Sequence, residues 1–326
     1  MSLPADLTQC IQTSTGDFDA LALRLFAYQY ENNPPYQRFC NGRGVTPETA
    51  THWQEIPAAP AVAFKRFSLT CVPESECVKV FHSSGTTSGE TSRHFMSEAA
   101  LDLYLVSLQA GYAHHFPSLP LLALMPPPDV APHSSLSFML ETLGAEFIWG
   151  ESSADQLRHT LAGLATPCTL FGTAFAFVNF FDATRKENFA LPEGTLLIET
   201  GGFKGRSREI EREELYALFT ERFGVAPSHC YSEYGMSELA SQFYSQGVDG
   251  PKLAPPWLKT RILDPVTGTD TVLGQPGLLA HYDLANYNSV LAIQTEDMGV
   301  WDECGGFQLQ GRAPGAVLRG CSLLAE

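Results

Sequence analysis

Between residues 121 and 223 the chain alternates short apolar runs with longer segments of helical periodicity, and this alternation restricts the fold more than any other feature of the sequence. The apolar runs lie at 121–124, 145–149, 169–171 and 195–198. The helical patterns that follow them lie at 134–143, 154–164, 174–184 and 208–223. Such alternation is typical of parallel strands with helices on both faces of the sheet. Ligands of such sheets bind at the carboxyl ends of the strands.

The regions on either side of this α/β core have different patterns. Residues 1–75 contain helical segments interrupted by prolines, which predicts a helical packing segment. Residues 258–311 contain turn sequences such as Gly274-Gln275-Pro276-Gly277, which predicts a small antiparallel, barrel-like region. The α/β core then occupies 76–257, and 312–326 forms a short stub.

The composition argues against several classes of function. The formal net charge of −16 opposes binding to nucleic acid or to an anionic membrane surface. The longest apolar run, at 119–125, is far too short to span a bilayer. The eight cysteines show neither a Cys-x-x-Cys pair nor zinc-type spacing, and the first residues lack the pattern of a secretory signal. We therefore expect an enzyme-sized cytoplasmic protein with reduced thiols, no membrane span and no nucleic-acid partner.

A loop rich in Gly, Ser and Thr follows the apolar run 78–81. Seven of the fourteen residues from Phe81 to His94 are Ser or Thr. The backbone N–H groups of such a loop can surround an anion while its hydroxyls donate further hydrogen bonds. Ser97 can cap the helical pattern that follows, and the order strand, glycine loop, helix favours phosphate binding. A flexible connector has the same composition, so the loop alone leaves both interpretations open.

Three further motifs follow the loop: Tyr231–Glu238, Thr295–Gly299 and Gly311-Arg312. The loop and these motifs, in this order, resemble the adenylate-forming superfamily of acyl-CoA synthetases, peptide-synthetase adenylation domains and firefly-type luciferases. The resemblance implies the large α/β N-terminal domain of that superfamily, with parallel sheets covered by helices and a small antiparallel β-barrel-like region. It also implies ATP and Mg²⁺ as cofactors. The loop is not the Gly-Lys-Ser/Thr type of nucleotide loop, and the Gly-x-Ser-x-Gly elbow of α/β-hydrolases is absent from the sequence.

The resemblance assigns ATP phosphate binding to the Gly/Ser/Thr loop. The residues that match the family's pattern there are Ser83, Ser84, Gly85, Thr86, Thr87 and Ser88. The family's lysine in this loop is missing, and Arg93 is the candidate for its cation.

The second motif supplies the residues that the resemblance places at the reacting phosphate. It implies that Tyr234 stacks near adenine beside Gly235, that the Ser237 hydroxyl contacts the α-phosphate, and that Glu238 binds magnesium. A carboxylate is a hard oxygen ligand suited to Mg²⁺. The alternative is a surface turn before a helix that Ser237 caps.

The remaining nucleotide contacts implied by the resemblance come from three separate places. Gly201 and Gly202 would let the flat base approach the main chain, and Asp297 would bond both ribose hydroxyls. Arg312 belongs to the last motif. Gly-Gly and Glu-Asp pairs are also common in ordinary turns.

The end of the chain narrows the resemblance to one branch. The sequence stops about fourteen residues after Arg312, so we expect the mobile C-terminal domain of the superfamily to be missing or reduced to a stub. The ending resembles acyl-protein synthetases of the bacterial bioluminescence fatty-acid reductase complex and their relatives in antibiotic and polyketide clusters. Those synthetases carry the acyl group on a cysteine near the C-terminus, and Cys321 matches that position. A thiolate is a good nucleophile toward an acyl-adenylate, although an incidental cysteine stays an alternative.

The implied reaction activates a carboxylic acid as an acyl-adenylate with release of pyrophosphate, and then transfers the acyl group to Cys321, to CoA or to an acceptor protein. The side chains available to line an acyl pocket are His133, Phe171, Phe175, Phe177, Phe203 and Tyr231. Aromatic residues in such regions are more often core. The competing hypothesis is a degenerate relative that binds an acyl group or a nucleotide without turnover.

Overall fold

The computed structural model describes residues 2–83, 91–185, 187–201 and 210–313. The helices of these residues are α1 (Leu3–Thr13), α2 (Phe18–Asn32), α3 (Pro34–Gly42), α4 (Ala63–Arg66), α5 (Glu98–His115), α6 (Ser135–Thr142), α7 (Ser153–Gly163), α8 (Ala174–Thr184) and α9 (Arg212–Leu218). The strands are β1 (Ala59–Pro60), β2 (Cys77–His82), β3 (Arg93–Ser97), β4 (Leu121–Leu124), β5 (Glu146–Phe147), β6 (Thr169–Thr173), β7 (Leu196–Thr200), β8 (Cys230–Tyr234), β9 (Phe243–Gln246), β10 (Leu258–Leu263), β11 (Gly277–Asp283), β12 (Ala292–Trp301) and β13 (Phe307–Arg312).

The chain forms two compact units, each built from separate stretches of sequence. The first unit comprises Met1–His114, Gly235–Gln242 and Leu253–Glu326. The second comprises His115–Tyr234 and Phe243–Lys252. Among the described residues, no helix is both long enough and apolar enough to cross a membrane.

The second unit contains a sheet whose described strands run in the order β5-β4-β6-β7-β8-β9. All neighbours in it pair in parallel except β8 and β9, which are antiparallel. The helical patterns of the sequence become α6 to α9, so the predicted α/β class is confirmed. One face of the sheet, with Leu170 and Leu197, packs in a single core with aromatic residues such as Phe177 and Phe219. Burial of each such side chain contributes roughly 1.5–3 kcal/mol to stability.

Side-chain caps explain why helices in this unit begin where they do. Thr173 ends β6 and caps α8, because its hydroxyl accepts a hydrogen bond from Ala176 N at 3.1 Å. The Ser134 hydroxyl likewise accepts from Ser137 N at 3.1 Å and starts α6. A cap of this kind satisfies one of the unpaired N–H groups of the first turn.

The first unit contains an antiparallel sheet. Strands β10, β11, β12 and β13 pair antiparallel in that order, and β1 adds to β12 in parallel. Helix α2 is fastened to the loop between β11 and β12, because Gln29 Nε2 donates to Asn286 O at 2.7 Å and Gln29 Oε1 accepts from Leu291 N at 2.7 Å. Helix α2 and the β11–β12 loop are therefore joined within one compact unit.

The predicted order of strand, glycine loop and helix is wrong in one respect. A second strand, β3, follows the loop, pairs antiparallel with β2 and joins α5 directly. His94, Phe95 and Met96 are all buried, so this stretch packs as a strand and the helix begins only at Glu98. Ser97 caps that helix as predicted, accepting from Ala100 N at 3.3 Å. Strand β3 therefore stands between the loop sequence and the helix N-terminus.

Candidate active site

The ends of the hairpin loop lie against the turn that carries Glu238, all within the first unit. Ser83 and Ser92 face each other across the hairpin: Ser83 N donates to Ser92 O at 3.2 Å and Ser92 N donates to Ser83 Oγ at 3.0 Å. The Ser92 hydroxyl donates in turn to Glu238 Oε1. Ser92 is not among the sequence candidates, although it is one of the seven Ser and Thr residues of the stretch 81–94.

Ser237 belongs to the same turn and contacts both hairpin strands. Its hydroxyl donates to His82 O at 3.2 Å, and its carbonyl oxygen lies 2.8 Å from His94 Nδ1. Leu239 N closes the turn on Met236 O at 3.1 Å, and the chain then continues without a helix to β9. The alternative in which Ser237 caps a helix is therefore wrong.

Glu238 is a buried carboxyl group, with only 6% of its surface exposed. Burial raises its pKa above the ordinary value. The Ser92 hydrogen bond, the residue's own backbone N–H, Lys65 and Arg312 all act in the opposite direction, because they stabilise the ionised form. Lys65 lies on α4, outside every motif, so the sequence patterns gave no reason to select it.

Asp297 and Arg312 are opposite each other on β12 and β13. Arg312 Nε lies 3.8 Å from Asp297 Oδ1, and Arg312 Nη1 lies 3.7 Å from Glu296 Oε2. The Arg312 side chain is 65% exposed, so these ion pairs are weak. Because Arg312 also acts on Glu238, the charged residues of the second, third and fourth motifs interact within the first unit.

Arg93 was proposed to replace the family's loop lysine. Its guanidinium carbon lies 5.4 Å from the centre of the Phe95 ring, at the start of β3. Its contact with phosphate stays a prediction, whereas Lys65 and Arg312 are cations that act on the Glu238 carboxylate.

Glu238 and its surroundings suit a magnesium ion that is bound partly by phosphate oxygens of the substrate. No group of three His, Cys, Asp or Glu side chains suited to a metal occurs in the described parts of the chain. Mg²⁺ is usually bound by one or two carboxylates together with water and substrate phosphates, and Glu238 supplies one such carboxylate.

Two of the predicted acyl-pocket residues share a face of the parallel sheet in the second unit. Phe171, Ile198 and Tyr231 are cross-strand neighbours on β6, β7 and β8. Phe171 is fully buried, and Tyr231 is half-buried with its ring 4.9 Å from that of Phe116. Leu170 and Leu197, the residues before Phe171 and Ile198, belong to the helix-covered core, so the Phe171–Tyr231 row lies on the opposite face.

The other pocket candidates have different surroundings. Phe175 is half-buried on α8, and His133 is exposed just before α6. Phe177 is wholly buried, and its ring lies 4.8 Å from that of Phe219 in the helix-covered core. Phe177 is therefore a residue of the hydrophobic core.

The nucleotide candidates of the two units are placed as follows. Gly201 follows β7 with φ +68°, a conformation that favours glycine, and a Cβ there would meet open space. Tyr234 ends β8 with 9% exposure and its ring 5.7 Å from Phe243, whereas Gly235 is exposed and belongs to the first unit. The candidates that lie outside the described residues are Ser84, Gly85, Thr86, Thr87, Ser88, Gly202, Phe203 and Cys321.

A buried charged cluster, which the sequence patterns did not indicate, lies beside these strand ends in the second unit. Lys252 donates to Ser232 O at 2.8 Å and to Ser232 Oγ at 2.7 Å, and Thr200 donates to Glu233. Burial raises the pKa of Glu233 and lowers that of Lys252. Arg212 Nε lies 3.3 Å from Glu199 Oε1. These polar groups hold the ends of β7 and β8 together.

Comparison with solved structures supports the adenylate-forming fold. A 2-hydroxyisobutyryl-CoA ligase in complex with 2-HIB-AMP superposes with a TM-score of 0.69 at 17% identity, over 90% of this chain and 67% of that one. ATP-bound MatB from Rhodopseudomonas palustris gives a TM-score of 0.54 at 18% identity, over 76% of this chain and 50% of that one. At these identities the likeness concerns the fold, and the predicted fold class is confirmed.

Sequence comparison gives the family. The long-chain-fatty-acid–luciferin-component ligase of Vibrio harveyi is 24% identical over 321 residues, covering 91% of this chain and 84% of the relative. The ligase of the same name from Aliivibrio fischeri is 24% identical over 303 residues, covering 87% and 79%. The family described as acyl-protein synthetase, LuxE, matches residues 153–325, a stretch that contains Glu238, Asp297, Arg312 and Cys321. Because this match spans more than half of the chain, the protein belongs to the LuxE family of acyl-protein synthetases.

Proposed function

We propose that this protein uses ATP to activate a carboxylic acid as an acyl-adenylate and then transfers the acyl group to a thiol. The observation that carries the proposal is the position of Glu238. It is buried at the neck of a Gly/Ser/Thr hairpin, receives a hydrogen bond from Ser92, and is influenced by the positive charges of Lys65 and Arg312. A carboxylate beside cations and hydroxyl donors suits a site for magnesium and phosphate.

The first step joins a carboxylate oxygen of the acid to the α-phosphorus of ATP while the bond to the pyrophosphate oxygen breaks. In the second step a thiolate sulfur bonds to the acyl carbon, and AMP leaves with the electrons of the broken carbon–oxygen bond. Magnesium, when bound, would neutralise part of the phosphate charge. In this proposal Glu238 holds the metal, Ser237 orients its hydroxyl toward the α-phosphate, and Asp297 bonds the ribose.

The proposed acid is apolar, and fatty acids are the class to test first. The Phe171, Ile198 and Tyr231 row gives the second unit an aromatic and aliphatic sheet face. The two bacterial relatives are named for long-chain fatty acids. The proposed thiol is Cys321, with CoA and an acceptor protein as alternatives, and the proposed location is the cytoplasm, where ATP is supplied.

The test is carboxylate-dependent exchange of labelled pyrophosphate into ATP, measured across fatty acids of increasing chain length and a panel of aromatic acids. We expect exchange with at least one acid, and its loss in Glu238→Ala. Glu48→Ala is the control for loss of a glutamate carboxylate elsewhere in the first unit, because Glu48 is exposed and accepts from Thr46. Binding of ATP without exchange by any acid would instead support a non-catalytic binding protein. Undiminished exchange in Glu238→Ala would refute the role assigned to Glu238.

The acyl acceptor is tested separately, by mass spectrometry of the intact protein after reaction with ATP and the active acid. We expect an acyl adduct that is absent from Cys321→Ser and that hydroxylamine removes, as it removes thioesters. If the parent protein forms adenylate but no adduct, the acceptor is CoA or another protein.

A further inference from the structure

We propose that His94 and Asn286 are positioning residues that aim the Glu238 carboxylate by holding the main chain of Ser237 and Glu238. The inference rests on the proposed function, because it assigns Glu238 to the metal. Both side chains lie in the first unit, and each bonds to the backbone of the Glu238 turn and to one shared serine. Asn286 lies outside every motif, and His94 is the last residue of the Gly/Ser/Thr stretch 81–94 and was not a site candidate.

His94 holds the first of two consecutive carbonyl groups. Its side chain is buried, with 1% exposure, and its Nδ1 lies 2.8 Å from Ser237 O. A carbonyl oxygen can only accept, so Nδ1 carries the proton of this contact. The other ring nitrogen, Nε2, lies 3.1 Å from Ser289 Oγ, and the ring stands edge-on to Phe64 at 5.8 Å. The imidazole is thereby fixed by contacts at both nitrogens and by the Phe64 ring.

Asn286 holds the second carbonyl group. Its Nδ2 donates to Glu238 O at 2.9 Å and to Val290 O at 2.9 Å, and its Oδ1 lies 3.2 Å from Ser289 Oγ, whose one proton can go to Asn286 or to His94. Ser289 therefore lies between His94 and Asn286, and the three polar side chains form one buried network. The network holds both carbonyls that flank the Glu238 Cα.

Two further anchors prevent this network from moving as a whole. Gln29 on α2 donates to Asn286 O, as described above, which fastens the loop to the helical part of the unit. On the C-terminal side of the turn, Asp283 Oδ2 accepts from Ala240 N at 3.0 Å and Oδ1 accepts from Ser241 Oγ at 2.8 Å. The turn is thus held at two carbonyls by Asn286 and His94, and the residues that follow it are held by Asp283.

The contacts to the Ser237 and Glu238 carbonyls affect the position of the Glu238 side chain through the backbone. The orientation of the Cα–Cβ bond of Glu238 is set by the peptide planes on both sides of the residue, and each of those planes includes one of the two held carbonyls. If one carbonyl is released, the turn can rotate and the carboxylate shifts relative to the phosphates. A misplacement of about 1 Å at a reacting centre can cost on the order of a hundredfold in rate.

The experiment compares Asn286→Ala with Asn288→Ala. Asn288 lies two residues along the same loop, is also 1% exposed, and donates to Thr70 Oγ1 at 2.9 Å and Phe95 O at 3.2 Å instead of to the Glu238 turn. Both variants lose a buried amide network, so thermal unfolding reports comparable damage to the fold. Electron paramagnetic resonance measures Mn²⁺ binding in the presence of ATP and in the absence of acid. This binding depends on the position of the Glu238 carboxylate.

We expect Asn286→Ala to raise the Mn²⁺ dissociation constant about tenfold, a loss typical of disturbed outer-shell support, and Asn288→Ala to change it less than about threefold. In pyrophosphate exchange, Asn286→Ala should raise the MgATP concentration needed for half-maximal rate even after correction for folded protein. A purely structural role predicts equal changes in both variants, and that outcome would overturn the proposal.

His94 offers an independent check through partial rescue. An asparagine can place an N–H near the position of Nδ1, so His94→Asn should retain tighter Mn²⁺ binding than His94→Leu at matched stability. Equal Mn²⁺ binding by the two variants would count against positioning by His94. If the parent protein exchanges no pyrophosphate with any acid, the proposed function itself fails, whereas exchange with no difference between the asparagine variants refutes only the positioning role.

Discussion

Replacing Ser92 with alanine removes the hydroxyl that donates to the buried Glu238 carboxylate. Ser92 is 1% exposed, so water cannot readily take its place. A hydrogen bond to a charged group is worth roughly 1.5–3 kcal/mol, and each 1.4 kcal/mol is a factor of about ten in an equilibrium constant. The substitution should therefore reduce the ratio of ionised to protonated Glu238 by about 10–100-fold in the free enzyme.

The direction of the change follows from the cause of the pKa shift. Burial already favours the protonated carboxyl group, and Ser92 opposes burial by stabilising the ionised form. Without Ser92 the pKa of Glu238 rises further, so a higher pH is needed to ionise it. Because a metal binds the ionised carboxylate, the acid limb of kcat/KM for MgATP should move to higher pH.

The assay is pyrophosphate exchange as a function of pH. At pH values well below the pKa of Glu238 we expect kcat/KM of Ser92→Ala to be about 10–100-fold lower than that of the parent protein. On the alkaline plateau the two values should differ little. Ser92→Thr keeps the hydroxyl and should resemble the parent protein. Ser107→Ala is the matched control, since Ser107 is equally buried but bonds to Trp257 and Ser241. An acid limb that stays in place in Ser92→Ala would refute the electrostatic reasoning.

Two further predictions concern the β-rich part of the first unit. Asp297→Asn should raise the KM for ATP about tenfold, because Asp297 is assigned to the ribose hydroxyls. Glu296→Gln also removes a partner of Arg312 but should change this KM less than about threefold. Steady-state exchange kinetics measure both variants, and equal effects would contradict the assignment of Asp297. His281 is fully buried, and burial lowers its pKa to about 3. In the unfolded chain a histidine binds a proton near its ordinary pKa of about 6.5. The folded protein therefore loses stability as the pH falls below about 6.5. Between pH 7 and pH 4.5 the free energy of unfolding of the parent should fall relative to His281→Gln by about 2.5 kcal/mol in denaturant titrations, and parallel curves would show that His281 is not held neutral.

The parallel sheet was predictable from the sequence because its signal is local. Buried strands such as β6 and β7 are short continuous apolar runs, and Thr173 and Ser134 mark the helix starts with cap residues. Strand β3 was missed because Arg93-His94-Phe95-Met96 does not alternate polar with apolar residues. It becomes a strand through pairing with β2 and through burial of His94, neither of which leaves a periodic pattern.

The candidate site was predictable only where a motif is contiguous. Glu238 and Ser237 stand in one motif, and the structure places them at the neck of the loop. Ser92, Lys65, His94 and Asn286 reach the same turn from distant parts of the chain, through hydrogen bonds and charge interactions that depend on tertiary packing. Spacing in sequence carries no information about such contacts.

Arg312 is better suited to bind phosphate than an arginine whose role is only structural, such as Arg222. Arg222 in the second unit is 5% exposed, and its guanidinium donates to Glu187 O at 2.6 Å and Thr184 Oγ1 at 3.0 Å, so any change of partner would leave buried groups unsatisfied. Arg312 is 65% exposed, and its ion pairs at 3.7 and 3.8 Å contribute little to stability. It can therefore exchange carboxylate partners for phosphate oxygens at small cost. In a chain with a formal charge of −16, cations such as Arg312 and Lys65 close to Glu238 offset the local repulsion that ATP would otherwise meet.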